Sequence, residues 1–99
     1  MDLYLGIDAG GTHTRARLVT DDGNVIGTGE AGPANARIGL PEALGAVEDA
    51  YLQALAEAGL DRSHLASIRA GLGIAGLNRR GVLPGLQEHD FPFRSIAFA

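Results

Sequence analysis

The sequence contains no cysteine among its 99 residues. This absence excludes a disulfide framework, a thiolate nucleophile and a zinc ribbon. Basic residues are also few: 8 stand against 12 acidic ones, and the net charge of -4 disfavours electrostatic binding of nucleic acid or anionic lipid. Any polyanion that binds this chain is therefore expected to be small.

Long apolar runs are missing as well. No uncharged stretch approaches the roughly 18 residues that a membrane span needs. Met1 and Asp2 precede a short strand-like run, where a secretory signal would have a basic region and an apolar core. We therefore expect a cytoplasmic protein with no membrane or nucleic-acid partner. A hydrophobic fraction of 45% excludes a disordered chain, and 99 residues allow one domain.

Glycine, in contrast, is abundant, with 15 residues in 99. Average usage is about 7%. The glycines follow no collagen period and form no flexible linker. We therefore expect each of them to have a local structural reason.

The first third of the chain predicts three antiparallel strands. Residues 3–8 form an apolar run closed by Asp8, a pattern typical of a central strand that is buried on both faces. Residues 13–20 alternate between polar and apolar with a period of two. Residues 25–31 return as a third strand after a turn in which Gly23 suits a positive φ.

An amphipathic helix follows a loop at 32–35. Apolar residues at spacings of three and four predict this helix, with Pro41 at its first position and Gly59 just beyond its last turn. Asp61 is placed to cap one further short turn.

The last third predicts parallel strands. Residues 68–75 read as a strand in which Gly71 and Gly73 share one face, and such a face lets another backbone come close. Residues 77–90 allow only a short or irregular helix, and 94–99 begin a further strand. The predicted fold class is α/β, with a mixed sheet of three antiparallel N-terminal strands followed by parallel strands and helices.

One segment, residues 6–12, predicts phosphate binding. Gly10 and Gly11 would let a phosphate approach the backbone N–H groups, and the Thr12 hydroxyl adds a donor at the same place. Asp8 supplies a hard oxygen that suits Mg²⁺ held partly through water. The alternative is an ordinary hairpin turn with an incidental aspartate, but such a hairpin does not need this combination of residues.

Two better-known nucleotide motifs do not fit. Gly6 and Gly11 have the spacing of a P-loop, but residues 12–13 lack its lysine. Residues 71–76 match the dinucleotide pattern G-x-G-x-x-G, yet these glycines alternate within a strand. No acidic residue stands about 20 positions later, where the sequence has Ile96.

Four segments, at 5–15, 21–27, 32–35 and 71–77, together resemble the opening of the BadF/BadG/BcrA/BcrD-type ATPases and, within them, the N-acetylglucosamine kinase branch. The resemblance covers essentially the whole chain. It implies a ribonuclease H-like domain of the actin-like ATPase superfamily over residues 1–99, the N-terminal domain of a longer protein, interrupted within or just after its fifth strand.

The resemblance also implies site residues. His13 stands where the family commonly has lysine, and strand alternation predicts that its side chain points away from the phosphates. No catalytic residue is expected in the chain, because the aspartate that serves as base would lie beyond Ala99. The implied nucleotide-binding residues are Asp8, Gly10, Gly11 and Thr12, with Asp8 also near the metal, and the implied sugar-binding residues are Asn35, Ala75 and Gly76.

The function implied is the N-terminal part of an ATP-dependent amino-sugar kinase that uses Mg²⁺, works with its own C-terminal domain and forms a homodimer. The chain alone is expected to be inactive. Three alternatives remain: an activator ATPase coupled to electron transfer and a kinase of the repressor/open-reading-frame/kinase family, both of which share this turn, and a non-enzymatic actin-like ATP-binding module, which in the chaperones has Gly-Thr-Thr instead. The Gly-Gly-Thr form of the turn favours the sugar kinases.

Overall fold

One mixed sheet organises the computed structural model, which describes residues 2–35 and 39–99. Its strands are β1 (Leu3–Ala9), β2 (Thr14–Thr20), β3 (Val25–Ala31), β4 (Arg69–Ile74) and β5 (Ser95–Phe98). They lie in the order β3-β2-β1-β4-β5. β2 is antiparallel to both β1 and β3, whereas β4 is parallel to both β1 and β5. The predicted mixed sheet, with β1 at its centre, is confirmed.

The helices occupy the predicted regions. They are α1 (Leu40–Glu57), a 3₁₀ helix (Arg62–Ser67) and α2 (Val82–Glu88). Pro41 is the second residue of α1, one position later than predicted, because Leu40 is already helical. Gly59 has the expected positive φ of 75°, and Leu60 N–H donates to Leu55 O at 2.9 Å to close the helix. Within the described residues no helix is long and apolar enough to cross a membrane.

Asp61 caps the 3₁₀ helix, as predicted. Its carboxylate accepts hydrogen bonds from the hydroxyl and the N–H of Ser63, the latter at 3.0 Å. These bonds hold the pKa of Asp61 below its ordinary value. The cap therefore stabilises the fold above the unfolded-state pKa, and this contribution is lost as the pH falls through the lowered value.

The core lies on one side of the sheet only. In β1, Leu5 and Ile7 are buried, whereas Tyr4, Gly6 and Asp8 are exposed. Among residues 2–35 and 39–99, β1 is therefore buried on one face only, where the sequence predicts two buried faces. Two crossovers connect parallel strands, β3–α1–β4 and β4–α2–β5, and both run in the same direction across the sheet. Because such connections are right-handed, both helices lie on the same face of the sheet.

Close backbone contact also occurs in a different strand from the one predicted. A Cβ added to Gly71 would meet nothing within 4 Å, and one added to Gly73 would only approach Ile7 O at 3.9 Å. In β3, a Cβ on Gly27 or Gly29 would lie 2.0 Å from a carbonyl oxygen of α1. The reason is that Gly27 and Gly29 lie beneath α1, whereas Gly71 and Gly73 lie on the face that no helix of the described residues covers.

Side chains of α1 also protect the free edge of β3. Gln53 Nε2 donates to Glu30 O at 2.7 Å, and Glu30 N–H donates to Gln53 Oε1 at 3.1 Å. One turn further along, Thr28 N–H donates to Glu57 Oε1 at 3.1 Å. These side chains occupy the backbone groups that would otherwise be a template for another strand.

Replacing Gln53 by alanine is expected to destabilise the fold by about 1 kcal/mol, because two hydrogen bonds at the β3 edge are lost and water replaces them. The midpoint of urea unfolding measures the effect. Gln87→Ala, an exposed position on α2, is the control and should leave the midpoint nearly unchanged. Equal midpoints for the two variants would contradict the protective role of Gln53.

Candidate functional site

Three loops meet at one edge of the sheet. β1, β3 and β4 run in the same direction, since β2 is antiparallel to both β1 and β3 while β4 is parallel to β1. The segments that follow them, residues 10–13, 32–35 and 75–81, therefore leave from the carboxyl ends of the strands at the same edge. In open α/β sheets, ligands bind outside the carboxyl ends of the strands, at the point where the strand order reverses.

The segment after β1, here called the glycine turn (residues 10–13), is very tight. Gly10 N–H donates to His13 O at 3.0 Å, and a Cβ added to Gly10 would lie 3.0 Å from that same oxygen. Thr12 and His13 are exposed, and Thr12 Oγ1 lies 3.1 Å from His13 Nδ1. The His13 ring thus contacts the Thr12 hydroxyl, whereas strand alternation predicts that it points away from the turn. The turn presents a backbone that a small ligand can reach and an exposed hydroxyl.

The loop at 32–35 packs directly against the glycine turn. Ala34 is fully buried, and its N–H donates to Gly10 O at 3.0 Å. A Cβ added to Gly11 would lie 3.6 Å from Asn35 Nδ2. The structure therefore brings Asn35 next to the glycine turn, although more than twenty positions separate them in the sequence.

The loop after β4 lies beside the same turn. Ala75 N–H donates to Ala9 O at 2.8 Å, which extends the pairing of β1 and β4 by one bond. Gly76 has a φ of 87°, a region that favours glycine, and its carbonyl accepts from Arg79 N–H at 2.9 Å. Both residues predicted here, Ala75 and Gly76, therefore stand at the edge occupied by the glycine turn.

Asp8 lies at the end of β1 on the open face, which we define as the uncovered side of the sheet around Gly6, Asp8 and Gly71. In the sheet register Asp8 stands between Arg15 of β2 and Gly73 of β4. A depression of about 480 Å³ on this face is lined in part by Asp8 and Arg15. Arg15 Nε bonds to Glu30 Oε1 at 3.1 Å. The exposed Asp8 carboxylate can thus receive a ligand from the open side.

Metal-binding capacity at this edge rests on few side chains. Over residues 2–35 and 39–99 no group of three or more histidine, cysteine, aspartate or glutamate side chains could hold a metal ion. An ion such as Mg²⁺ keeps several waters and takes only one or two carboxylates when it binds with a phosphate. A single exposed aspartate two residues before the glycine turn fits that chemistry.

The structure places the residues that the sequence predicts for the site at or beside one edge of the sheet, and a further residue, Thr14, contacts the loop at 32–35 there. The Thr14 hydroxyl donates to Gly32 O at 2.8 Å and so ties the start of β2 to the loop at 32–35. The alternation over residues 13–20 predicts Thr14 on the buried face of β2 and assigns it no further role. A polar residue at a buried position directly after the Gly-Gly-Thr turn was the signal available in the sequence.

The sheet order, the glycine turn after the central strand and the loops beside it define a domain with the actin-like ATPase fold. The sequence pattern of the BadF/BadG/BcrA/BcrD ATPase family matches residues 5–86. The chain belongs to this family, which confirms the resemblance read from its motifs.

Individual relatives agree with this. The chain is 36% identical over 96 residues to the glucosamine kinase GspK of Vibrio cholerae, covering 97% of the chain and 33% of the relative. A solved structure from Chromobacterium violaceum, assigned as an N-acetylglucosamine kinase, superposes with a TM-score of 0.88 at 27% identity, over 100% of the chain and 35% of that protein. The chain thus spans about a third of the length of these relatives.

A more distant solved structure shares the fold. It is component A of (R)-2-hydroxyglutaryl-CoA dehydratase from Acidaminococcus fermentans, with a TM-score of 0.50 at 15% identity over 99% of the chain and 31% of that protein. At this identity the likeness is one of fold alone.

Proposed function

We propose that the chain is the N-terminal domain of an ATP-dependent amino-sugar kinase, which transfers the γ-phosphoryl group of ATP to a hydroxyl of glucosamine or N-acetylglucosamine. The observation that carries the proposal is the position of Asn35. Its amide lies 3.6 Å from where a Cβ on Gly11 would stand. A sugar bound at Asn35 would therefore be held next to a phosphate bound at the glycine turn.

The relatives support the same substrate class. One is named a glucosamine kinase, and another is assigned as an N-acetylglucosamine kinase. Both align with nearly the whole chain, so the glycine turn and the loop at 32–35 fall within the aligned region.

The nucleotide phosphates would lie against Gly10, Gly11 and Thr12. Gly11 is exposed and has no side chain that would keep a phosphate from its backbone, and the Thr12 hydroxyl is exposed beside it. Asp8 would hold Mg²⁺, which neutralises charge on the phosphates during transfer. Phosphoryl transfer depends mainly on positioning and on stabilising charge, and these residues would supply both.

The sugar would lie against Asn35, with Ala75 and Gly76 beside it. The amide of Asn35 offers both a donor and an acceptor, which suits a sugar hydroxyl. The tight turn at Gly76 and the small side chain of Ala75 leave the edge accessible. In the reaction, the bond between the γ-phosphorus and the bridging oxygen breaks, a new bond forms to the sugar oxygen, and the hydroxyl proton goes to a base.

That base would come from outside these residues. β5 is parallel to β4, and Ala99 N–H donates to Leu72 O at 3.0 Å, so β5 leads toward the edge where the loops meet. A residue following β5 in a longer protein would enter the site there. We accordingly propose that residues 1–99 form an N-terminal domain that works with a C-terminal domain in a cytoplasmic, homodimeric kinase.

The complete protein is expected to phosphorylate glucosamine or N-acetylglucosamine with ATP and Mg²⁺, whereas purified residues 1–99 should phosphorylate neither. The physical reason is that the proposed base and second domain are absent from the shorter chain. Release of ADP in a coupled assay, with mass spectrometry of the sugar product, measures both proteins.

Galactose and glucose are suitable control sugars, since they lack the amino substituent that the proposed substrates share. Sugar phosphorylation by residues 1–99 alone would contradict the location of the base. ATP hydrolysis by the complete protein without transfer to any sugar would instead favour an activator ATPase.

A further inference from the structure

Thr14 is a polar residue in a fully buried position. It is the first residue of β2, directly after the glycine turn, and its exposed fraction is 0%. A buried hydroxyl needs a hydrogen-bond partner, and Thr14 Oγ1 finds one in the carbonyl oxygen of Gly32, at 2.8 Å. The partner belongs to the loop at 32–35, far from Thr14 in sequence.

Two hydrogen bonds thus tie the loop at 32–35 to the glycine turn and to the residue that follows it. The Gly32 carbonyl accepts from Thr14, and the Ala34 N–H donates to Gly10 O at 3.0 Å. Gly10 is itself fixed, because its own N–H donates to His13 O at 3.0 Å. Displacement of the turn must therefore displace the loop as well.

From this geometry we infer that Thr14 is a positioning residue that couples the loop carrying Asn35 to the glycine turn, so that nucleotide and sugar bind cooperatively. The sugar part of the inference rests on the proposed function. A nucleotide that orders the turn also orders the loop, through Thr14 and Gly10. By thermodynamic linkage, the sugar then strengthens nucleotide binding by the same factor.

Thr14→Val in the complete protein tests the inference. Valine keeps the shape of threonine but cannot donate to Gly32, and Gly32 is exposed, so water can replace the donor and the fold is retained. We expect the KM for the amino sugar to rise roughly fivefold to tenfold, because this factor corresponds to the free energy that one ordinary hydrogen bond contributes. By the same linkage, the Kd of a non-hydrolysable ATP analogue at saturating sugar should rise by a similar factor, whereas its Kd in the absence of sugar should be nearly unchanged. Thr14→Ser, which keeps the hydroxyl, should restore the wild-type values.

Thr20 provides a matched control at the opposite end of β2. It is also a buried threonine, 8% exposed, and its hydroxyl bonds within the hairpin, to Asp22 and to Asn24 O at 3.4 Å. Thr20→Val removes the same group from the same strand, far from the site. It should lower the unfolding midpoint and leave the KM for the sugar unchanged.

Hydrogen–deuterium exchange supplies a readout that does not depend on activity. ATP with Mg²⁺ is expected to protect the amides of Ala34 and Asn35 in the wild-type protein, and this protection should be lost in Thr14→Val. The absence of protection in the wild type would overturn the coupling, even if the variant did not fold. An unchanged sugar KM in Thr14→Val, or an equal rise in Thr20→Val, would also overturn it.

The two proposals can fail separately. If the wild-type protein phosphorylates no sugar, the proposed function is overturned, while exchange with ATP and Mg²⁺ still decides whether the turn and the loop are coupled. If sugar is phosphorylated but Thr14→Val behaves as wild type, only the coupling is overturned.

Discussion

Replacing Asp8 by alanine in the complete protein is expected to lower the proposed sugar phosphorylation by at least about a hundredfold, since a charge that stabilises the transferring phosphoryl group is lost. Asp8 is exposed at the end of the central strand, beside the glycine turn, and it lies outside the packed core. The fold should therefore persist, with an unfolding midpoint close to that of the wild type. Steady-state assays with saturating ATP, Mg²⁺ and sugar measure the loss.

Asp2 is the matched control for Asp8. It lies just before β1, at the end opposite the site, where its carboxylate pairs with Arg69 at 3.5 Å. Exposed pairs of this kind contribute little to stability, so Asp2→Ala should keep both turnover and fold. Turnover of Asp8→Ala at the wild-type level would remove Asp8 from the site, and with it the proposed magnesium position.

The second large effect concerns stability and comes from Gly29. A Cβ at this position would lie 2.0 Å from Ala50 O and 2.8 Å from the Cβ of Gln53. The obstacle includes helix backbone, so α1 must move away from the sheet to make room. We expect Gly29→Ala to lower the free energy of unfolding by about 3 kcal/mol, at the upper end of ordinary overpacking costs. The midpoint of urea unfolding measures this directly.

Gly45, on α1 itself, is a position where alanine is expected to stabilise the fold. It is exposed, and a Cβ there would meet nothing within 4 Å. Alanine has less backbone freedom to lose than glycine in a helix, so Gly45→Ala should stabilise the fold by roughly 0.5–1 kcal/mol. If Gly29→Ala and Gly45→Ala shifted the midpoint in the same direction, the close approach of α1 and β3 would be contradicted.

Local features were predictable because their causes are local. The positive φ of Gly23 and Gly59, the cap at Asp61 and the alternation in β2 follow from the chemistry of a few neighbouring residues. The proposed phosphate-binding motif at 6–12 is local as well, since its glycines and hydroxyl lie within one turn.

Features that depend on distant segments were predicted less well. The apolar run in β1 suggested two buried faces, and the paired glycines of β4 suggested close backbone contact. In the part of the chain that the structure describes, helices cover one face of the sheet, and the close backbone contact joins β3 to α1. The pattern within one strand shows which residues could be buried, but the direction of the crossovers decides which face receives helices.

The sequence by itself determined the fold class, the glycine turn with Asp8 and the family of the protein, because these depend on residue types at short spacing. Only the tertiary structure decided that Asn35 stands beside Gly11, and that Thr14 and Gly10 hold its loop there. Those contacts join segments about twenty residues apart. They form because β1, β3 and β4 run in the same direction and bring their carboxyl ends to one edge of the sheet.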